Sequence, residues 1–192
     1  GSLWVGIGNA HGVGGGLQPL DPGTLVAGDP LRTVHGPPHN FIIDIAYPPS
    51  GSGVDAWVAT GSRLGSTGAR LYGTGVASLD RGGTAVVADD VWTTYTVAST
   101  DDDGSPPWTG LAGDNVQSLL VRGDELWVGS AQTIWDQASR RFVDGGLSVL
   151  ESGTWTARPS GVGLPDDALG RGGVSSLAAG CDGEIWVATG NG

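Results

Sequence analysis

Four short runs share one order of polar and apolar positions. They are Gly1-Ser2-Leu3-Trp4-Val5-Gly6-Ile7-Gly8, Val54-Asp55-Ala56-Trp57-Val58-Ala59-Thr60-Gly61, Gly123-Asp124-Glu125-Leu126-Trp127-Val128-Gly129-Ser130 and Gly183-Glu184-Ile185-Trp186-Val187-Ala188-Thr189-Gly190. Each reads as a turn, a polar residue, an apolar residue, Trp, Val and a small residue. That pattern predicts a short strand entered by a tight turn and left through glycine or another small residue. A strand apolar at successive positions has both faces buried, so the rest of the chain is expected to be arranged around these four.

The segments between the runs repeat as well. A second strand is predicted at 16–21, 75–80 and 146–151, closing on Leu20-Asp21, Leu79-Asp80 and Leu150-Glu151. A third follows at 24–26 or 31–34, at 91–97 and at 154–157, rich in Thr, Val and aromatic residues, as strands are. Then comes a crossing loop rich in Pro, Gly and Asp, and after it another apolar strand at 41–46, 116–121 and 174–179, just before the next Trp run. The unit is therefore four strands, with approximate bounds 1–40, 41–114, 115–173 and a partial 174–192. Helical periodicity is absent throughout; Asp166 to Leu169 could form at most a single turn.

Trp57 follows Trp4 by 53 residues, Trp127 follows Trp57 by 70 and Trp186 follows Trp127 by 59. A strand-rich repeat of this length predicts an all-β protein, a β-propeller with about three to four antiparallel four-stranded blades in view. The run Val116-Gln117-Ser118-Leu119, Gly123 to Ser130 and Gly145 to Thr156 resembles the two-component-regulator propeller repeat. That repeat builds extracytoplasmic sensor propellers and many secreted bacterial proteins. The resemblance covers nearly the whole chain and is clearest over 116–190. It implies a fold and an extracytoplasmic setting (secreted, cell surface or periplasmic), and it brings no catalytic residues.

Three repeats do not close a ring, since propellers have at least four blades. The sequence opens on a Trp strand and stops after one, so the expectation is a segment of a larger ring, completed by the remainder of its own chain or by other protein chains. The missing initiator Met and the lack of a signal peptide fit an excised piece.

Composition narrows the partners. Gly (36) and Pro (11) make about a quarter of the 192 residues, and 39% are hydrophobic, which fits short strands joined by glycine-rich turns better than a disordered segment. All nine basic residues are Arg against 20 acidic ones, for a net charge of -11. Such a surface repels nucleic acid and anionic membranes. No run approaches the roughly 18 apolar residues of a membrane span. Cys181 is the only cysteine, so no internal disulfide forms; in a turn it reads as a small filler rather than a reactive thiol.

Candidate chemistry is sparse. Asp101-Asp102-Asp103-Gly104 could hold calcium through oxygen ligands, but it lacks the alternating spacing and distal Glu of a calcium loop. A solvated acidic loop is the plainer reading, and Asp166-Asp167 is similar. No other cofactor is implied. His35 and His39 flank two prolines that forbid the helix on which they would share a face, and His11 lies in a glycine-rich loop. No nucleophile elbow and no dinucleotide fingerprint is present, so no catalytic residue is assigned.

Trp4, Trp57, Trp127 and Trp186 recur at one position and are expected to pack between blades; Trp92 and Trp155 recur on another strand and are structural too. Trp108 and Trp135 fall outside the pattern, in loops. With Tyr72 and Arg63, from the matching loop of the preceding repeat, they are the candidates for ligand or partner contact. The expected function is a non-enzymatic binding, scaffold or sensor module that contacts protein or glycan by loops on one face. The alternatives are a propeller-type polysaccharide lyase or hydrolase, and the periplasmic sensor domain of a hybrid two-component receptor.

Overall fold

In the computed structural model the described residues are 3–7, 16–27, 36–39, 41–62, 72–84, 86–100, 109–132, 135–138, 141–142, 144–159, 164 and 173–190. They form an all-β chain of antiparallel sheets, including two of four strands. Strand β1 (Leu3–Ile7) pairs with β2 (Gly16–Leu20). The first four-stranded sheet is a meander of β3 (Ile42–Ala46), β4 (Ala56–Ser62), β5 (Tyr72–Asp80) and β6 (Val91–Tyr95). The second contains β7 (Val116–Arg122) and β8 (Glu125–Ser130); a small hairpin of β9 (Trp135–Asp136) and β10 (Arg141–Phe142) intervenes, and β11 (Gly146–Glu151) and β12 (Thr154–Pro159) complete it. Last comes the pair β13 (Val174–Ala179) and β14 (Ile185–Thr189).

Turn chemistry sets these hairpins. Glu151 pairs with Thr154 across Ser152-Gly153, and both turn residues have positive φ (49° and 79°), the two-residue loop whose twist suits antiparallel strands. Asp21 accepts the Gly23 and Thr24 N–H groups after β2, and Asp80 accepts the Gly82 N–H after β5. The Leu-Asp ending thus closes each strand with a side-chain turn.

The structure departs from the expected pattern at three places. Strand β6, expected over 91–97, ends at Tyr95, and α1 (Val97–Thr100) follows as one helical turn. Its cause is local: the Ser99 hydroxyl accepts the Thr96 N–H at 2.8 Å while the Thr96 hydroxyl accepts the Ser99 N–H at 3.2 Å, a reciprocal cap. The β9–β10 hairpin falls where a plain loop was expected. Segment 24–26 is a turn leading to an isolated bridge between Leu20 and Ala27; segment 31–34, its alternative, and Asp166 to Leu169 lie outside the described residues.

Strands β3, β7 and β13, each the first of its sheet in the chain and termed innermost, are built alike. Ile42 pairs with Thr60 and Asp44 with Ala59; Val116 pairs with Ser130 and Ser118 with Gly129; Val174 pairs with Thr189 and Ser176 with Ala188. Each strand therefore carries one extra residue at the same place: Ile43, Gln117 and Ser175. That bulge brings positions one and four of each strand to the same face, instead of one and three. It makes Asp44, Ser118 and Ser176 equivalent, as it does Ile45, Leu119 and Leu177.

Sheets pack face to face in chain order. Trp57, Ala59, Val76 and Ala46 of the first large sheet meet Val116, Leu119, Leu126 and Val128 of the second in one buried cluster. Trp127, Leu147 and Leu120, on the far face of the second, meet Val174, Leu177, Ile185 and Val187 of the β13–β14 pair. The same positions are used at both interfaces, which follows from the period of two along every strand.

Candidate functional site

The connections that follow β4 and β8 leave from one end of their sheets. β4 ends at Ser62, opposite Tyr72 at the start of β5, and the chain between them is residues 63–71. β8 ends at Ser130, opposite Gly146, and the chain between them holds the β9–β10 hairpin, with Trp135 opposite Phe142. The segment 109–115 arrives at this same end, because it feeds β7, whose Val116 pairs with Ser130.

Segment 109–115 is bonded on both sides. Its Asp114 carbonyl accepts the Gly75 N–H, and the Asp114 carboxylate accepts the Val97 N–H at 2.7 Å. The Ala112 N–H donates to the Ser148 hydroxyl at 2.8 Å, the Ala112 carbonyl accepts the Gly145 N–H, and the buried Ser130 hydroxyl donates to the Gly113 carbonyl at 2.7 Å. The segment so ties β5 and α1 of the first large sheet to β8 and β11 of the second. Gly73 permits it: a Cβ there would lie 1.7 Å from the Asp114 carbonyl oxygen.

Burial pushes the Asp114 carboxyl above the ordinary range, the Val97 N–H pulls the other way, and the neighbouring charge of Asp144 adds to the rise. Asp144 is itself buried. A half-buried carboxylate beside a second one is the arrangement from which acid–base chemistry is built. Here, however, both the backbone and the side chain of Asp114 hold sheets together, so its geometry is accounted for by structure.

Of the residues singled out from sequence, Arg63, Trp108, Asp101, Asp102, Asp103, Asp166, Asp167, His11 and His35 lie outside the described residues. The strands of Tyr72, Trp135 and Trp4 are described, and their side chains are not. Tyr72 nonetheless stands at the base of the first of these connections, and Trp135 lies within the second, which leaves from the same end. His39 uses Nδ1 to accept the Phe41 N–H at 3.0 Å. Cys181 is exposed. Among the described residues no group of three or more His, Cys, Asp or Glu is placed to hold a metal ion, and no helix is long and apolar enough to cross a membrane.

The recurrent tryptophans separate. Trp57 is 7% exposed and packs between sheets; Tyr95 stands between Trp57 and Trp155, with ring centroids 5.6 Å from each. Trp127 is half-buried; its indole N–H donates to Glu125 at 2.8 Å, and Arg122 lies over its ring while donating to the Gly183 carbonyl of the next sheet. Trp186 is 66% exposed, with its indole N–H on Glu184 at 3.3 Å.

Sequence reasoning missed the polar bonds between innermost strands. The Asp44 carboxylate accepts the Ile45 N–H at 2.9 Å with one oxygen and the Leu119 N–H of the next sheet at 2.7 Å with the other. The Ser118 hydroxyl oxygen likewise accepts the Leu177 N–H of the sheet after that, at 3.1 Å. The signal available was a polar residue at the third position of each apolar strand: Asp44, Ser118 and Ser176. No family model and no curated protein matches this chain.

Proposed function

We propose that this chain is part of an extracytoplasmic β-propeller that binds protein or glycan without catalysing a reaction, its contacts made by the loops at the end where β4 and β8 stop. The observation that carries this reading is the shared exit of the two long connections, 63–71 and 131–145, from one end of successive sheets locked together by 109–115. Loops on a rigid scaffold are where binding residues gather, and the resemblance to the two-component-regulator repeat supports a sensor or scaffold setting. Trp108, Trp135, Tyr72 and Arg63, the candidates named from sequence, carry the aromatic and cationic chemistry such contacts use. A catalytic reading has less support, since Asp114, half-buried beside Asp144, is engaged in joining sheets.

The test is a binding screen of the chain against immobilised neutral and acidic polysaccharides, followed by Trp135→Ala, Trp108→Ala and Arg63→Ala. Retention of the wild type, lost in these variants with the thermal transition unchanged, is the expected result. Release of reducing ends or unsaturated products from a polysaccharide would overturn it in favour of a hydrolase or lyase.

A further inference from the structure

The β13–β14 pair presents an open face made of Ser176, Ala178, Trp186 and Ala188, all exposed. The same four positions are occupied elsewhere by Asp44, Ala46, Trp57 and Ala59, and by Ser118, Leu120, Trp127 and Gly129. In both of those sheets the face is covered by the innermost strand of the next sheet, which brings apolar residues at its first and fourth positions: Val116 and Leu119, or Val174 and Leu177. In both, the fourth residue donates its N–H to the polar side chain at the third position of the covered strand. Trp186 is already oriented by Glu184, as Trp127 is by Glu125.

We infer that this face is a docking site for one kind of occupant: the innermost strand of a further sheet of this same repeat. That strand places an aliphatic residue at its first position against Ala188 and another at its fourth against Trp186, and it donates the fourth N–H to the Ser176 hydroxyl. A second copy of the chain fits less well. Its exposed β1 offers Leu3 (46% exposed) and Val5 (40% exposed), which match Leu126 and Val128, but among the described residues β1 has no innermost strand paired on its free edge. The inference rests on the succession of sheets and not on the binding loops, so either can fail without the other.

The test extends the full chain in register. Ala131 N–H bonds to the Asn115 carbonyl as Gly190 N–H bonds to the Gly173 carbonyl, so residues 132–190 are repeated directly after Gly190. Acrylamide quenching of Trp186 is read as the difference between each protein and its Trp186→Phe variant at the original position. In the extended chain Trp186 is expected to fall to the accessibility of Trp127 and its emission to shift to shorter wavelength. Both changes are expected to vanish when Val174 and Leu177 of the added copy are replaced by Asp. Ser176→Ala is expected to speed amide exchange at Leu177 of the added copy alone. An extended chain whose Trp186 stays as quenchable as in the 192-residue protein, whether or not the extension folds, overturns the inference. So does concentration-dependent self-association of the 192-residue chain that both Trp186→Ser and Leu3→Asp abolish, which would make a second copy the occupant.

Discussion

Trp57 and Trp186 stand at one position in two sheets: each follows an apolar residue, precedes a valine and pairs with an alanine of the innermost strand, Ala46 or Ala178. Trp57 is buried between sheets and Trp186 is exposed on one. The difference lies in the neighbour and not in the strand. Such a sheet buries its second face only where another sheet packs on it, so sequence equivalence and energetic equivalence separate.

The sharpest way to break that comparison is to truncate both rings. Trp57→Ala is expected to cost about 3–5 kcal/mol by cavity formation and loss of the Tyr95 contact, while Trp186→Ala stays within about 0.5 kcal/mol, as for other surface changes. Chemical denaturation with a constant slope checks both; equal losses would mean that the two tryptophans share an environment. Next comes the small residue two places after each Trp. A Cβ on Gly129 would lie 2.5 Å from Val174 Cγ1, so Gly129→Ala is expected to cost about 1–3 kcal/mol by overpacking, with recovery in the double variant Gly129→Ala, Val174→Ala. The equivalent Ala188, on the open face, is expected to accept Val with no measurable loss.

The polar positions sharpen the same contrast. Asp44→Ala and Ser118→Ala each leave a backbone N–H unpaired between sheets and are expected to cost about 1–3 kcal/mol; Ser176→Ala is expected to cost nothing in this chain. The smallest effect among the residues that join sheets belongs to Asp114. Burial raises its carboxyl above the ordinary 3.8, so the folded state holds the proton more tightly than the unfolded one. Its contribution to stability is complete below pH 3.8 and is lost as pH rises through the folded value. Solvent screens a half-buried group, so Asp114→Asn is expected to remove a slope worth less than about 1 kcal/mol and to leave the Val97 N–H bonded. Thermal transitions of the two proteins compared across the acid range check it.

These contrasts also show what the chain discloses by itself. The bounds of β11, the Leu-Asp strand endings and the recurrence of the Trp position follow from patterns local in sequence, and the structure places them as read. The bulges at Ile43, Gln117 and Ser175 were invisible, because the residue that is skipped in the ladder is defined by its partner strand. Helix α1 was missed because Thr96 and Ser99 cap each other within a stretch whose composition favours strand. The bond from the Leu119 N–H to the Asp44 carboxylate spans 75 residues, and no local pattern names its donor. Of the binding candidates, the sequence separates Trp135 from the structural tryptophans by its position off the repeat, and the structure adds that its strand and that of Tyr72 lie at a common end.

Successive sheets are joined by one recurring bond, from the N–H of the fourth residue of an innermost strand to the third-position side chain of the sheet before. Amide hydrogen exchange resolved at Leu119 and Leu177 tests it most directly. Both amides are expected to exchange slowly in the native chain, with Asp44→Ala releasing Leu119 alone and Ser118→Ala releasing Leu177 alone. Fast exchange at either amide in the native chain, or no response to its own variant, would contradict it.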